Sequence, residues 1–269
     1  METLVLDKEV IQPALKSDTK TWVSDDVLVI LLLYKNFNFT STYTPYDIDI
    51  CGKKMWEWVA LAVGDCEIKT TVATAESDVL SLIKPYLNQK RYTFVLFSDT
   101  PLFSTSTFLE ILNYVRAKDV NALKLKRGYV FNTNYLRNIN LLMSDSVMDF
   151  GNEYDFFATD NEQKLYEVRQ IIKNRILDFH IDNGVQILDK NTTNIDADVV
   201  IERGCIVSGG NNILGLTYIG KNCKIEPNNI ISNSVISDNC VIKCSYIDQS
   251  RISDNIIVGP FESIIGKSN

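Results

Sequence analysis

Asp99 closes the apolar run Tyr92–Phe97 and is followed at once by Thr100-Pro101. An acidic side chain at the carboxyl end of a strand is well placed for chemistry, because open α/β sheets bind their ligands there. The simpler role is a turn residue ahead of a proline. Three of the six cysteines, Cys205, Cys223 and Cys240, stand 18 and 17 residues apart. A ladder of thiols could bind a metal or act in redox chemistry, but no CxxC pair occurs and His180 is the sole histidine. Small apolar fillers in a reducing compartment are the reading that fits this setting.

The elements that must position these groups fall into two styles. From Val27 to Phe131, apolar strands alternate with amphipathic helices. Strands are expected over 27–33, 68–72, 92–97 and 123–131, with helices over 54–63, 77–87 (interrupted by Pro85) and 105–118. That order argues for a parallel α/β sheet. Residues 1–24 carry no clear period, 37–45 read as loop, and 141–158 as irregular and acidic. A further helix is expected over 160–179, with Leu165, Val168, Ile171, Ile172, Ile176 and Phe179 on its apolar face. Asp160 is placed to cap it and Asn183-Gly184 to stop it. Trp56 and Trp58 on the first helix are more simply packing residues than a stacking platform.

Beyond this helix the pattern changes. Ile195, Ile201, Val207, Ile213, Ile219, Ile225 and Ile231 recur every six residues, and the spacing continues in steps of five or six through Ile236, Ile242, Ile247, Ile252, Val258 and Ile264. Repeats this short and this uniformly β-branched specify a parallel β-helix, each triangular coil using about 18 residues. Residues 195–269 therefore supply about four coils. Cys205, Cys223 and Cys240 should stack on one corner of it.

Composition narrows the function classes. The net charge of −7 argues against a nucleic-acid binder and against docking on an anionic membrane. No apolar run is long enough to span a bilayer, and no secretory signal is visible, so a cytoplasmic protein is expected.

The segments His180-Ile-Asp-Asn-Gly-Val-Gln-Ile-Leu-Asp, Gly215-Leu-Thr-Tyr-Ile-Gly-Lys-Asn-Cys-Lys-Ile-Glu-Pro-Asn and Val258-Gly-Pro-Phe, with the preceding Lys164-Leu-Tyr-Glu-Val-Arg, lie in a telling order. They resemble the junction and first coils of the bifunctional bacterial GlcNAc-1-phosphate uridyltransferase/glucosamine-1-phosphate acetyltransferase family. Phe97-Ser98-Asp99-Thr100-Pro101-Leu102 is similar to the strand end that carries this family's metal-binding aspartate. Ile50-Cys-Gly-Lys-Lys-Met-Trp-Glu-Trp-Val resembles the opening of its second helix.

The resemblance implies an α/β plus β fold. A nucleotidyltransferase-like (Rossmann-like) parallel-sheet domain would occupy 1–158 and a linker helix 159–183. A left-handed parallel β-helix of about four coils would occupy 184–269. It further implies a homotrimer built through the β-helix and a sugar nucleotide as partner. Mg²⁺ would be held by Asp99 and Asp160, and Lys35 would be the catalytic cation that meets phosphate.

Departures from the family pattern argue for degeneracy. The two glycines of its nucleotide loop fall on Tyr34 and Asn36, its arginine on Asn38 and its lysine on Pro45 or Tyr46, which leaves Lys35 as the only basic group. Glycines let backbone amides close on a triphosphate, and the cations offset charge in phosphoryl transfer. The base-reading and sugar-binding segments find no room between the expected elements, and the coils that would carry acetyl transfer are expected to be missing. A catalytically dead scaffold or binding module is expected. The competing expectation is a minimal Mg²⁺-dependent sugar-1-phosphate uridyltransferase. Acetyl transfer is not expected.

Overall fold

The computed structural model describes residues 24–35, 44–140 and 147–266. The loop positions Asn36, Phe37, Asn38 and Phe39 and the lead-in before Ser24 lie outside these residues. Two compact units are present, divided between Val168 and Arg169. Among the described residues no helix is long and apolar enough to cross a membrane.

In the first unit, strand β1 (Val27–Tyr34) is followed by a small hairpin, β2 (Asp49–Ile50) and β3 (Lys53–Lys54), and by helix α1 (Met55–Ala62). Then come β4 (Glu67–Ala73), α2 (Val79–Ile83), β5 (Tyr92–Phe97), α3 (Thr105–Lys118), β6 (Ala122–Leu125), β7 (Gly128–Asn132) and α4 (Thr133–Asn138). The sheet runs β4-β1-β5-β7-β6. Strand β1 lies between two parallel neighbours, β4 and β5, and is buried on both faces. Val27, Val29 and Leu31 pack with Phe94 and with Val59, Phe108, Ile111 and Val115 of α1 and α3. Leu28, Ile30 and Leu32 pack the other way, with Leu80, Ile83 and Leu136 of α2 and α4. A continuous apolar run is what a strand covered on both faces requires.

The all-parallel sheet expected from the sequence is corrected here. The run 123–131 is a hairpin: β6 and β7 are antiparallel to each other, and β7 is antiparallel to β5. The turn is Lys126-Arg127, closed by Gly128 at φ 128°. A Cβ at Gly128 would lie 2.6 Å from the Val95 carbonyl oxygen, so only glycine lets β7 approach β5 here.

Helix α5 (Glu162–Asp182) begins later than expected. Its first turn is capped by Asn161, whose Oδ1 accepts from the Lys164 N–H at 3.0 Å, in place of Asp160. The buried face also differs from the expected one. Leu165, Val168, Ile172, Ile176, Leu177 and His180 are buried, while Ile171 and Phe179 are half-buried.

In the second unit the short strands stack into three all-parallel sheets, a β-helix-like arrangement. The repeated aliphatics lie in register: Ile195, Ile213, Ile231, Ile247 and Ile264 on one sheet, Ile201, Ile219, Ile236 and Ile252 on the second, and Val207, Ile225, Ile242 and Val258 on the third. All are buried except Ile264, which is half-buried. Each is worth roughly 1.5–3 kcal/mol of apolar burial.

The corners need left-handed backbone. One stack of such positions is Gly204, Asn222, Asn239 and Asn255. A Cβ at Gly204 would collide with the Asn222 side chain from the next coil, so this corner holds glycine beneath asparagine. The three stacked thiols face backbone carbonyls one coil on: Cys205 Sγ donates to Gly220 O at 2.9 Å, Cys223 to Ser237 O at 3.0 Å and Cys240 to Ser253 O at 3.1 Å. All six cysteines of the chain are free thiols.

His180 is 2% exposed, and burial pushes its pKa down from 6.5 to about 4. Burial wins over the favourable pull of a helix C-terminus on a cation. The folded form keeps the ring neutral while the unfolded form takes up a proton below 6.5. This contribution is complete above pH 6.5 and is lost as the pH falls through 4. Urea titrations from pH 7 to pH 4 should show a loss of about 3 kcal/mol that His180→Gln abolishes.

Candidate functional site

The carboxyl ends of β1 and β5 are adjacent, since Leu32 pairs with Phe97. Tyr34 and Lys35 leave one strand there and Ser98 and Asp99 leave the other. The ends are tied by hydrogen bonds from the Tyr34 N–H to Ser98 Oγ at 2.9 Å and from the Ser98 N–H to Leu32 O at 2.9 Å. Lys35 is half-buried, and its N–H donates to Ala73 O at the end of β4. The Thr159 N–H donates to Asp99 O at 2.7 Å, which brings Asp160 to the same place. All three residues singled out from the sequence, Lys35, Asp99 and Asp160, are thus gathered at one end of the sheet.

The Asp99 carboxylate is closed off from solvent, whereas Asp160 is half-buried. Asp99 is 1% exposed. Its Oδ1 accepts from Arg127 Nε at 2.7 Å, and its Oδ2 accepts from Arg127 Nη2. The guanidinium lies 4.6 Å from the Phe97 ring centroid and 5.0 Å from that of Tyr34. Those two rings meet edge to face at 5.7 Å. Asp160 is served separately, by Lys164 Nζ at 2.8 Å and Asn161 Nδ2 at 2.9 Å. Lys164 also lies 5.6 Å from the Phe157 ring.

Burial, the largest influence, pushes the Asp99 carboxyl above its ordinary value, and the Arg127 guanidinium works against it. Burial by itself would weaken the Arg127 charge. The Asp99 hydrogen bonds reverse that and hold its proton more firmly than in a free guanidinium. Fork-to-fork pairing of this kind is the strong form of an ion pair.

A hydrated Mg²⁺ does not fit this arrangement. It needs carboxylate oxygen directed at it together with several waters. Here both oxygens of Asp99 meet guanidinium donors, and Asp160 has an ammonium. Among the described residues no group of three or more His, Cys, Asp or Glu is arranged to hold a metal ion.

Sequence reasoning missed Arg127 altogether. The available signal was Arg127-Gly128, a turn dipeptide inside a run otherwise read as one strand. It also missed Asp155, fully buried in the segment expected to be irregular. Its Oδ2 accepts from Thr107 Oγ1 and from the Asn152 N–H, each at 2.7 Å, which pins that segment to the start of α3.

No protein-family profile matches the chain. Among curated proteins, the bifunctional protein GlmU of Clostridium kluyveri is 43% identical over 116 residues, covering 41% of this chain and 25% of the relative. The GlmU of Thermoanaerobacter pseudethanolicus is 26% identical over 80% of this chain and 66% of its own length. That of Clostridioides difficile is 25% identical over 98% of this chain and 67% of its own length. The chain is similar to curated GlmU proteins.

Relatives of this name match both units, since the C. difficile alignment takes in nearly the whole chain. The GlmU-like chain spans from a quarter to two-thirds of the length of these relatives. The C. difficile alignment covers 329 positions against 269 residues here, so dozens of the relative's positions have no counterpart in this GlmU-like chain.

Proposed function

We propose that this protein is a catalytically degenerate sugar-nucleotidyltransferase homologue, a cytoplasmic scaffold or a module that binds a sugar nucleotide or a protein partner. One observation carries the reading: Arg127 occupies both oxygens of Asp99, the carboxylate on which metal-dependent transfer would depend. The stacked coils are taken as a left-handed β-helix that assembles as a homotrimer. Ile230 and Tyr246, paired on one outer face, are both exposed and supply apolar surface for self-association.

A second reading is a minimal Mg²⁺-dependent sugar-1-phosphate uridyltransferase. The meeting of Lys35, Asp99 and Asp160 at one sheet end favours it, but Arg127 must vacate Asp99 before a metal enters. Calorimetric titration of UTP, UDP-GlcNAc and Mg²⁺, with a pyrophosphate-release assay and light scattering, separates the two. Trimers that release no pyrophosphate are expected. Mg²⁺-dependent UTP binding at micromolar concentration, with turnover that Asp99→Ala abolishes, would establish the enzyme instead.

A further inference from the structure

Strand β4 is the open edge of the first unit's sheet. It pairs on one side only, with β1, and its register there is unbroken from Glu67 to Ala73. The opposite edge, β6, is shielded where Val147 bridges Lys124 and the Met148 N–H donates to Lys124 O at 3.1 Å. Ala73 O accepts from the Lys35 N–H, so Ala73 turns its backbone polar groups toward β1. By the alternation of a strand Thr71, Lys69 and Glu67 do the same, while Ile68, Thr70 and Val72 turn theirs outward. Among the described residues those outward N–H and C=O groups have no partner. Proline, a bulge or charge normally blunts such an edge. Strand β4 contains no proline and no bulge, and its one exposed charged residue, Lys69, is paired with Glu67 at 3.2 Å. Thr70 is exposed and Val72 is 42% exposed.

We infer that this edge pairs with the same edge of a second copy, antiparallel, about a two-fold axis at Thr70. The surface lies on the first unit and is independent of the self-association proposed for the second. The phase of the strand selects the register, because hydrogen-bonded antiparallel pairs must join outward-facing residues of both copies. Centring on Thr70 sets Ile68 opposite Val72 of the second copy, Thr70 opposite its own counterpart, and Val72 opposite Ile68. Every outward group is then satisfied, whereas other registers leave at least one of the three residues without a partner. The side chains agree with this choice. Ile–Val and Thr–Thr are favourable cross-strand pairs, and Lys69 meets Thr71, so no like charges stand directly opposite. The contact is self-complementary, as a two-fold requires. One pair of seven-residue strands buries less than the roughly 1,200–2,000 Å² of a standard interface, so the association is weak and concentration-dependent.

The test is sedimentation velocity of the full chain over a concentration series, with amide hydrogen exchange read by mass spectrometry. The weight-average mass should rise with concentration. In parallel, the peptide holding β4 should gain protection at the amides of Ile68, Thr70 and Val72. Thr70→Pro should weaken the association roughly 10- to 100-fold, because both copies lose a central hydrogen bond. The sheet tolerates this proline, since the N–H it removes faces outward on an edge strand.

Val72→Lys, which leaves the backbone intact, serves as a parallel variant and should weaken the association by setting a charge against Ile68 of the second copy. Three results overturn the inference. One is a mass that does not change with concentration. Another is a rise in mass that both variants retain in full. The third is protection of β4 at every concentration, which would mean that another segment of the same chain covers the edge.

Discussion

Asn229→Leu should cost the β-helix unit 3 kcal/mol or more, on the order of the penalty for orphaning two or three buried polar groups. Asn229 is fully buried at a corner between coils. Its Nδ2 donates to Asn211 Oδ1 at 3.0 Å and to Glu226 O at 2.5 Å, and its Oδ1 accepts from the Ser245 N–H at 2.8 Å. Asn211 Oδ1 accepts from the Asn229 N–H as well, at 2.9 Å. The chain Asn211–Asn229–Ser245 thus links three successive coils through groups that water cannot reach. Leucine matches asparagine in size but serves neither the Ser245 N–H nor the Glu226 carbonyl. Lys221→Ser, at an exposed position of the same unit, should stay within about 0.5 kcal/mol of wild type. The urea midpoint of the second unit is the measurement. Equal midpoints for the two variants would show that the corner ladder contributes no stability.

That corner was not legible in the sequence, whereas the aliphatic ladder beside it was. Every repeated position meets one environment, a like residue above and below, as Ile219 does between Ile201 and Ile236. Identical environments select identical side chains, and the period becomes visible. Asparagine serves two opposite purposes in the same coils. Asn222 and Asn239 occupy left-handed corners, where glycine, asparagine and aspartate are the residues best tolerated. Asn211 and Asn229 point inward with their hydrogen bonds satisfied by neighbouring coils. Residue type alone does not separate these uses, because the partners lie one coil away.

The same limit applies at the candidate site. Asp99 was legible because a strand end is a local property, written in Tyr92–Phe97 and Pro101. Its partner was not, because Arg127 lies 28 positions on, in a hairpin disguised as one strand. Leu123, Leu125, Val130 and Phe131 lie close enough in the chain to read as one apolar run, and only Lys126-Arg127-Gly128 breaks it. The closed state of the acidic pair is a tertiary fact, so the sequence offered a metal site where the fold supplies an arginine.

The ion pair itself yields the second large effect. In metal-free buffer, Arg127→Gln should destabilise the first unit by about 3–5 kcal/mol, the usual consequence of leaving one partner of a buried pair charged and alone. Asp99 is the partner left behind, and it is by far the more buried of the two: its side chain is 2% exposed, against 26% for Arg127. The asymmetry predicts an order of severity. Asp99→Asn leaves a partly exposed guanidinium that water can reach, and should cost about half as much. The double variant Asp99→Asn/Arg127→Gln removes both charges and preserves the outline of the pair. It should recover to within about 1–2 kcal/mol of wild type, since neutral replacements often match a buried ion pair in stability. Urea denaturation of the three variants closes a double-mutant cycle. A coupling energy below about 1 kcal/mol would place Asp99–Arg127 among ordinary surface pairs and remove the basis for a permanently closed site.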